Sequence, residues 1–460
     1  MRENKRKLML HTADLYVKLM ATTDTEDFYH MKTANDFYGL TDSDRLDAAV
    51  AGREGGVVVI PPRVSDIEPE RDWWLLDRAV LIPGDTTIIL QNCRMKLSDR
   101  CRDNFFRSAN CGLGIEDPQP IKNIHIKGIG TPVLEGADNP RATGDGSKIL
   151  ACPCPKKPED LCRLADWIPE ERRKSGKLDF WDEHNHSYGT DALDPNESHY
   201  GDWRGIGILF ANAEYCSVEN LKMVCTHGWG ISFEACSNGR IAGIDFDSDM
   251  SKEINGMLQN MENQDGIDIR NGCHHILITD ITGGTGDDLI ALTAIAREGS
   301  YKPGGGLRYT HVMHNDWSRR ERDIHDVIIR NVQGYSAGGI CYIIRLLPAE
   351  ADIYNVIIDG VIDTSPKGFK SGGTLLLGDG DGYGRNRTMT NIAISNIISN
   401  NRGCICLEGF LVDSVIANVI NRNPDCPVIC VRRREGMQNV DTCNLKSAGG
   451  VDKVIVCDNR

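Results

Sequence analysis

The sequence lacks the long apolar segment that a membrane-spanning helix needs. Its first twenty residues carry scattered basic side chains instead of an unbroken apolar stretch, so a secretory signal peptide is not expected. The 17 cysteines are an odd number and do not have the spacing of a disulfide scaffold. These absences predict a cytoplasmic protein that does not contact membranes. Several cysteines lie in strand-like runs and are expected to be small buried residues in a reducing compartment: Cys236, Cys273, Cys341, Cys404 and Cys430.

The sequence also has fewer basic residues than acidic ones. Lys and Arg number 52 against 66 Asp and Glu, which gives a formal net charge of −14 and a pI of about 5.4. This balance argues against a nucleic-acid partner, because binding to the phosphate backbone needs a basic face. The same charge disfavours a long polyanionic substrate unless the binding groove is locally basic.

A short strand pattern recurs along the chain. An apolar or β-branched residue is followed by inward-facing residues two and five positions later, as in Asn355-Val356-Ile357-Ile358-Asp359-Gly360-Val361. Copies begin at positions 218, 241, 276, 327, 356, 392, 415 and 440, which lie 23 to 51 residues apart. A basal period in the low twenties, lengthened by insertions into turns, is typical of a parallel β-helix. We therefore predict an all-β fold, a single-stranded right-handed parallel β-helix.

The predicted domain boundaries follow from this repeat. Residues 1–34 are expected to be an N-terminal helical extension, and residues 35–460 to form the β-helix domain. Just before the first strand, Leu46, Ala49 and Val50 share one helical face, which predicts a helical cap. Insertions at about 155–204 and 298–323 are rich in aromatic and polar residues. Such insertions often build the binding site of a solenoid, although they could also be packing loops.

Two acidic turns run directly into short apolar strands: Asn263-Gln264-Asp265 and Gly286-Asp287-Asp288. Adjacent coils of such a sheet are about 4.8 Å apart. We therefore expect Asp265 and Asp288 at matching turns of neighbouring coils, with Asp287 beside them. Crowding raises the pKa of one carboxyl group and leaves others ionised, which suits an inverting glycoside hydrolase. The alternative is that these residues only cap turns.

Two parts of the sequence resemble a known family: the segment before the first strand and the pair of acidic turns. The segment Asp36-Phe37-Tyr38-Gly39, followed by a helix and a Gly-Gly-Val-Val-Val-Ile-Pro-Pro strand, is similar to the start of pectin-lyase-like β-helices. The Asn-x-Asp turn followed by an Asp-Asp pair resembles glycoside hydrolase family 28, the polygalacturonases. This resemblance implies that Asp265 and Asp288 activate the hydrolytic water and that Asp287 is the general acid. It also implies that Arg345, two coils beyond the Asp pair, corresponds to the arginine of an Arg-Ile-Lys triplet.

The sequence departs from that family at two points. Leu347 stands where the lysine of the triplet would lie, and that lysine is thought to hold a substrate carboxylate. No His-Gly follows the Asp pair; His311 and His314 are the nearest candidates, while His227 precedes a glycine one coil too early. Together with the negative net charge, these departures favour a neutral sugar or oligosaccharide over galacturonate.

We therefore expect a glycoside hydrolase that inverts a glycosidic bond in a pectic or related plant oligosaccharide. Exo action is preferred, because long insertions tend to close a groove into a pocket. No metal or cofactor is expected, and the oligomeric state stays open. A β-helix lyase or transferase and a non-catalytic carbohydrate-binding β-helix remain alternatives. Besides the catalytic Asp265, Asp287 and Asp288, the residues expected to bind substrate are His227, Trp229, Asn263, Asp268, His311, His314, Arg345 and Tyr383.

Overall fold

The computed structural model describes residues 32–98, 101, 103–112, 115, 117–138, 203–248, 251–254, 257–260, 264–295, 311–313, 319–339, 341–366, 372–378, 387–450 and 452–456. Nearly all of the predicted N-terminal extension and of the insertion predicted at 155–204 lies outside these residues. Most of the insertion predicted at 298–323 does so as well.

The helix α1, Asp42–Ala51, precedes the first strands. Its first turn is closed by a capping box, in which the Asp44 N–H donates to Thr41 Oγ1 (3.1 Å) and the Thr41 N–H donates to the Asp44 carboxylate (3.0 Å). The predicted apolar face is buried, with Leu46 fully enclosed and Val50 only 7% exposed. Among the helices of the described ranges, none is long and apolar enough to cross a membrane.

The strands form two long parallel sheets, which confirms the predicted β-helix architecture. In chain order they are β1 Val57–Ile60, β2 Trp74–Leu76, β3 Val80–Ile82, β4 Thr86–Gln91, β5 Arg94–Leu97, β6 Phe106–Ser108, β7 Ile121–Ile129, β8 Val133–Glu135, β9 Ile208–Ala211, β10 Ala213–Val224, β11 Ile231–Glu234, β12 Ser237–Ser248, β13 Ser251–Ile254, β14 Met257–Asn260, β15 Ile267–Arg270, β16 His274–Thr285, β17 Ile290–Thr293, β18 Ile324–Ser336, β19 Tyr342–Leu347, β20 Ile353–Asp363, β21 Gly373–Leu377, β22 Thr388–Ser399, β23 Ile405–Leu407, β24 Phe410–Asn421, β25 Ile429–Val431, β26 Met437–Ser447 and β27 Val454–Val456.

Each coil contributes a strand to both sheets. The first sheet has the order β1-β4-β7-β10-β12-β16-β18-β20-β22-β24-β26, and β2, β5 and β8 join it beside β10. The second sheet has the order β3-β6-β9-β11-β15-β17-β19-β21-β23-β25-β27. The short strands β13 and β14 pair antiparallel outside both sheets. The second sheet is the one that carries the acidic turns.

The long strands of the first sheet bend at residues with positive φ, once near their start and again five residues later. Asn and Asp tolerate this left-handed conformation better than most residues. Their side chains also bond from coil to coil: Asn355 donates to Asp326 (2.9 Å) and Asn391 to Asn355 (3.1 Å). The first row of bends comprises Asp85, Asn123, Tyr215, Asn238, His275, Asp326, Asn355, Asn391, Asp413 and Asn439, and the second Asn220, Gly243, Asp280, Asn331, Gly360, Asn396, Asn418 and Asn444.

The core consists of aliphatic side chains stacked in register. Ile267 pairs with Ile290, which pairs with Ile344, and all three are fully buried. Ile269 also belongs to the core, whereas Asp268 between them does not. This confirms the predicted alternation in β15, and it places Asp268 on the outer face of the second sheet.

Candidate active site

The two acidic turns meet at the start of β15 and β17. Because Ile267 is the register partner of Ile290, Asp265 and Asp288 occupy the same position of adjacent coils. The Gly266 N–H donates to the main-chain carbonyl of Asp288 at 2.9 Å and continues the pairing into the turns. The predicted juxtaposition of the two aspartates is therefore confirmed.

Asp288 is held by the coil that follows it. Its Oδ1 accepts a hydrogen bond from the main-chain N–H of Tyr342 at 2.6 Å, and its Oδ2 lies 3.4 Å from Arg345 Nη1. The Asp288 N–H in turn donates to Asp287 Oδ1 at 2.9 Å. The carboxylate is thus oriented by two groups of the following coil, which fixes its place in the site.

Arg345 lies one coil beyond the Asp pair, and the expectation of two coils was wrong. Strand β19 pairs directly with β17, so Arg345 is the register partner of Ala291. Because β17 and β19 pair directly, they belong to consecutive coils of the second sheet although 48 residues separate their ends, Thr293 and Tyr342. The sequence distance therefore overstated the number of coils.

The pKa values of three carboxyl groups in this cluster, those of Asp265, Asp268 and Asp288, are raised, so these groups tend to keep their protons. Burial raises the pKa of Asp265 well above its usual value, and the negative charges of Asp287, Asp268 and Asp288 raise it further, against the opposing effect of Arg345. Burial also raises the pKa of Asp268, although Arg270 opposes this. Burial raises the pKa of Asp288 to about 7, with Arg345 the main opposing influence. Protonated and ionised carboxyl groups therefore coexist near neutral pH.

Asp268 is a further carboxyl group of this cluster. It is fully buried on the outer face of the second sheet, in the row of Ser232, Ala291 and Arg345. Among the described residues, neither of its carboxyl oxygens has a hydrogen-bond partner. An unsatisfied buried polar group is costly, so this side chain is suited to bind a polar ligand group.

His227 and Trp229 lie at the upstream end of the site but are engaged by the protein. The ring Nε2 of His227 accepts the main-chain N–H of Ala137 at 2.7 Å. Trp229 occupies the position equivalent to Asp265 one coil earlier, and it is only 4% exposed. The guanidinium of Arg270 lies 4.8 Å from its ring centroid. Neither residue offers a free surface for a sugar in this arrangement.

His311 is likewise bound within the protein. Its Nδ1 lies 2.6 Å from Glu234 Oε1, and its Nε2 lies 2.6 Å from Arg270 Nη2. Burial would raise the pKa of Glu234, but His311, Arg270 and the Val312 N–H outweigh burial and the pKa is lowered. His311 therefore contributes to the wall of the site instead of facing the aspartates. The other predicted residues Asn263, His314 and Tyr383 lie outside the described part of the chain.

Leu347, which stands in place of the lysine of the family triplet, is 2% exposed. It packs with Ile295 and Ala349 in a small apolar cluster. The outer face at this position therefore presents hydrocarbon, with no cation from that residue.

No sequence pattern indicated a role for Tyr342, and Cys341 differs from its expected state. The ring of Tyr342 extends across Gly373, whose absent side chain leaves room for it. Cys341 was expected to be a small buried residue, but it is only partly buried, and its sulfur lies within 4.8 Å of oxygens of Asp287 and Asp288. Burial and these two carboxylates raise the pKa of the thiol. The three groups have a spacing that a divalent cation could bridge. Only the strand register brings these residues together.

Comparison with known proteins places the fold in a recognisable class. No family model matches the sequence, and no curated protein matches it. A tailspike protein of E. coli bacteriophage HK620, in complex with a pentasaccharide, has a TM-score of 0.52 at 12% identity; the match covers 94% of this chain and 66% of that one. This likeness shows a parallel β-helix, and the chain spans about two thirds of the tailspike.

Polygalacturonases are also among the similar solved structures. The hyperthermoactive exopolygalacturonase of Thermotoga maritima has a TM-score of 0.47 at 14% identity, covering 87% of this chain and 88% of that chain. The endo-xylogalacturonan hydrolase of Aspergillus tubingensis has a TM-score of 0.42 at 13% identity, covering 91% and 92%. The strand pairing and the burial of the aspartates together show a parallel β-helix whose second sheet carries a cluster of carboxyl groups.

Proposed function

We propose that this protein is a glycoside hydrolase of the polygalacturonase-like type. The observation that carries the proposal is the register of β15 and β17, which places Asp265 and Asp288 at matching positions of adjacent coils. Asp287 lies beside them, and Arg345 reaches Asp288 from the next coil. A turn-capping role alone would not require Asp265 and Asp288 to be buried beside a third carboxyl group, the half-buried Asp287, at a cost in free energy.

The proposed mechanism is inverting hydrolysis. Asp288, whose pKa is about 7, activates a water molecule in its ionised form, and Asp265, whose pKa is raised well above its usual value, supplies the proton that Asp287 passes to the leaving-group oxygen. Crowding keeps at least one proton in the cluster at neutral pH, and that proton is delivered through Asp287. Asp268 and Arg345 bind hydroxyl groups of the sugar. The arginine also stabilises Asp288 in its ionised form.

A neutral sugar is the proposed substrate at the position beside Leu347. A uronate would need a cation to balance its carboxylate, and the buried apolar cluster of Leu347, Ile295 and Ala349 supplies none at this position. We propose a pectic or related plant oligosaccharide as the source of this sugar, with cleavage from one end of the chain.

The proposal is tested by assaying the protein and its Asp287→Asn variant with aryl α-glycosides and pectic oligosaccharides, with the products separated by chromatography. Release of a neutral sugar that is lost in the variant supports the proposal. Release of galacturonate would keep the hydrolase and overturn the neutral substrate. An unsaturated product that absorbs in the ultraviolet would instead indicate a lyase, and binding without turnover in both proteins would indicate a carbohydrate-binding β-helix.

A further inference from the structure

A chain of buried polar groups lies upstream of the acidic cluster. Arg270 Nη2 lies 2.6 Å from His311 Nε2, and His311 Nδ1 lies 2.6 Å from Glu234 Oε1. Glu234 Oε2 accepts the main-chain N–H of Val312 at 2.9 Å. A guanidinium can only donate, so Nε2 is the acceptor and the His311 ring is neutral with its proton on Nδ1. Every link of the chain is therefore a matched donor–acceptor pair.

This network holds residues 311–313 against the second sheet. Glu234 and Arg270 are each 1% exposed and His311 2% exposed. Val312 and Met313 pack in one apolar cluster with Leu209, Ala211 and Trp229, which belong to or adjoin β9 and β11. We call residues 311–313 together with their anchors Glu234 and Arg270 the end wall. Hydrogen bonds buried at this depth favour one arrangement of the segment.

The two sides of the acidic cluster consequently differ. Upstream, the outward-facing Leu209 and Ser232 are completely buried. Downstream, Tyr342 and Arg345 keep part of their surface exposed. Among the described residues, the exposed surface next to the cluster therefore lies on the side of β19 and not on the side of β11; Leu376, the outward-facing residue of the following coil, is again 5% exposed. A glycan that reaches the aspartates would enter over Tyr342 and Arg345.

We propose that His311 is the positioning residue that holds the end wall in place, and that the end wall limits cleavage to the terminal sugar of a glycan chain. The rest of the substrate then extends downstream over Tyr342. His311 acts through Glu234 and Arg270 and does not touch the reacting atoms. This inference rests on the proposed hydrolase function.

The test compares the intact protein with His311→Ala, His311→Gln and His125→Ala, using a pectic oligosaccharide of defined length labelled at its reducing end. His311→Gln keeps one donor and one acceptor, whereas His311→Ala removes both. His125→Ala is a matched control, because His125 is a half-buried histidine that is bonded to Ser217 Oγ (2.9 Å) on the first sheet. Product lengths are measured by chromatography, and hydrogen exchange is measured in peptides that contain residues 229–234 and 311–313.

We expect the parent protein and His125→Ala to release single sugars only. His311→Ala should release internal fragments as well, and the Val312 amide should exchange about tenfold faster or more, because a buried hydrogen-bonded link is lost. KM for the long substrate should change more than kcat for an aryl glycoside, and His311→Gln should restore much of the parent pattern.

Two results would overturn the inference, and they can be told apart from failure of the hydrolase proposal. A folded His311→Ala variant that still releases only single sugars would remove the link between the end wall and terminal cleavage. Unchanged hydrogen exchange in His311→Ala would show that His311 does not hold the wall, even if no tested substrate is cleaved. Absence of turnover in every protein, the parent included, contradicts the proposed function and with it the limit on cleavage.

Discussion

The main-chain N–H of Tyr342 donates a hydrogen bond to Oδ1 of Asp288 at 2.6 Å. Tyr342 and Asp288 stand at the same position of adjacent coils, so the pairing of β17 with β19 sets this contact. The orientation of the carboxylate thus depends on the backbone of the next coil. Side-chain substitutions at position 342 cannot remove this donor, except for proline.

Asp288→Asn should lower kcat by a factor of about 10² to 10⁴, because the variant loses a general base while the fold is retained. Steady-state kinetics with the substrate found in the screen would measure this. Asp245→Asn is a suitable control, since Asp245 lies on the first sheet and bonds to Thr282 Oγ1 at 2.8 Å. Near-parental kcat in Asp288→Asn, with the control also active, would contradict the assignment.

Arg345→Met should shift the acidic limb of the kcat/KM profile to higher pH by roughly one unit or more. Arg345 holds down the pKa of Asp288, which burial has raised to about 7. Without the guanidinium the carboxyl group ionises at higher pH, and a base works only when it is ionised. Arg345→Lys keeps the charge and should shift the limb less. An unshifted profile in the methionine variant would argue against Asp288 as the base.

Stability should fall as pH rises from about 4 to 7. Asp288 has a raised pKa in the folded protein, so the folded state holds this proton more tightly than the unfolded chain. Below pH 3.8 the group is protonated in both the folded and the unfolded state, so this group does not make stability depend on pH. As the pH rises from 3.8 to about 7, the free energy of unfolding falls by up to about 4 kcal/mol because of this group. Asp288→Asn removes the charge and should flatten the dependence. Melting temperatures of both proteins at pH 4.5 and pH 8 measure the effect, and parallel curves would refute it.

Asn355→Ala should destabilise the protein more than Asn355→Gly. Both variants lose the hydrogen bonds to Asp326 and Asn391, but alanine also has to adopt a φ of 56°. The difference between them should be about 1 kcal/mol, since glycine adopts this conformation without strain. Chemical denaturation of the two variants provides the measurement. Equal stability of the two variants would mean that the bend does not need a residue that readily adopts positive φ.

Leu347→Lys should lower the melting temperature without creating affinity for galacturonate. The position is 2% exposed and packs with Ile295 and Ala349, so an ammonium group there would lose its hydration without a partner. Leu347→Met preserves the apolar packing and serves as the control. Galacturonate binding by a stable Leu347→Lys variant, measured by calorimetry, would show that the position can hold a substrate carboxylate.

Much of the fold was predictable because it follows from local periodicity. The Val356-Ile358-Val361 pattern repeats wherever a long strand bends, and the asparagines that tolerate positive φ stand at fixed places in it. Asp265 and Asp288 were predictable for the same reason, since each immediately precedes a recognisable strand. The place of Arg345 was not, because the insertion before β18 hides how many coils separate two strands.

The sequence by itself determined the solenoid, its inward-facing rows and the pairing of the two acidic turns. These features depend on residues close together in the chain, where side-chain alternation and turn preference act directly. Only the tertiary structure decided that Tyr342 and Arg345 support Asp288, that Cys341 lies beside the Asp pair and that His311 joins Glu234 to Arg270. Those contacts join residues 41 to 77 positions apart. Their geometry depends on which coils stack, a relationship that the spacing of residues along the chain does not encode.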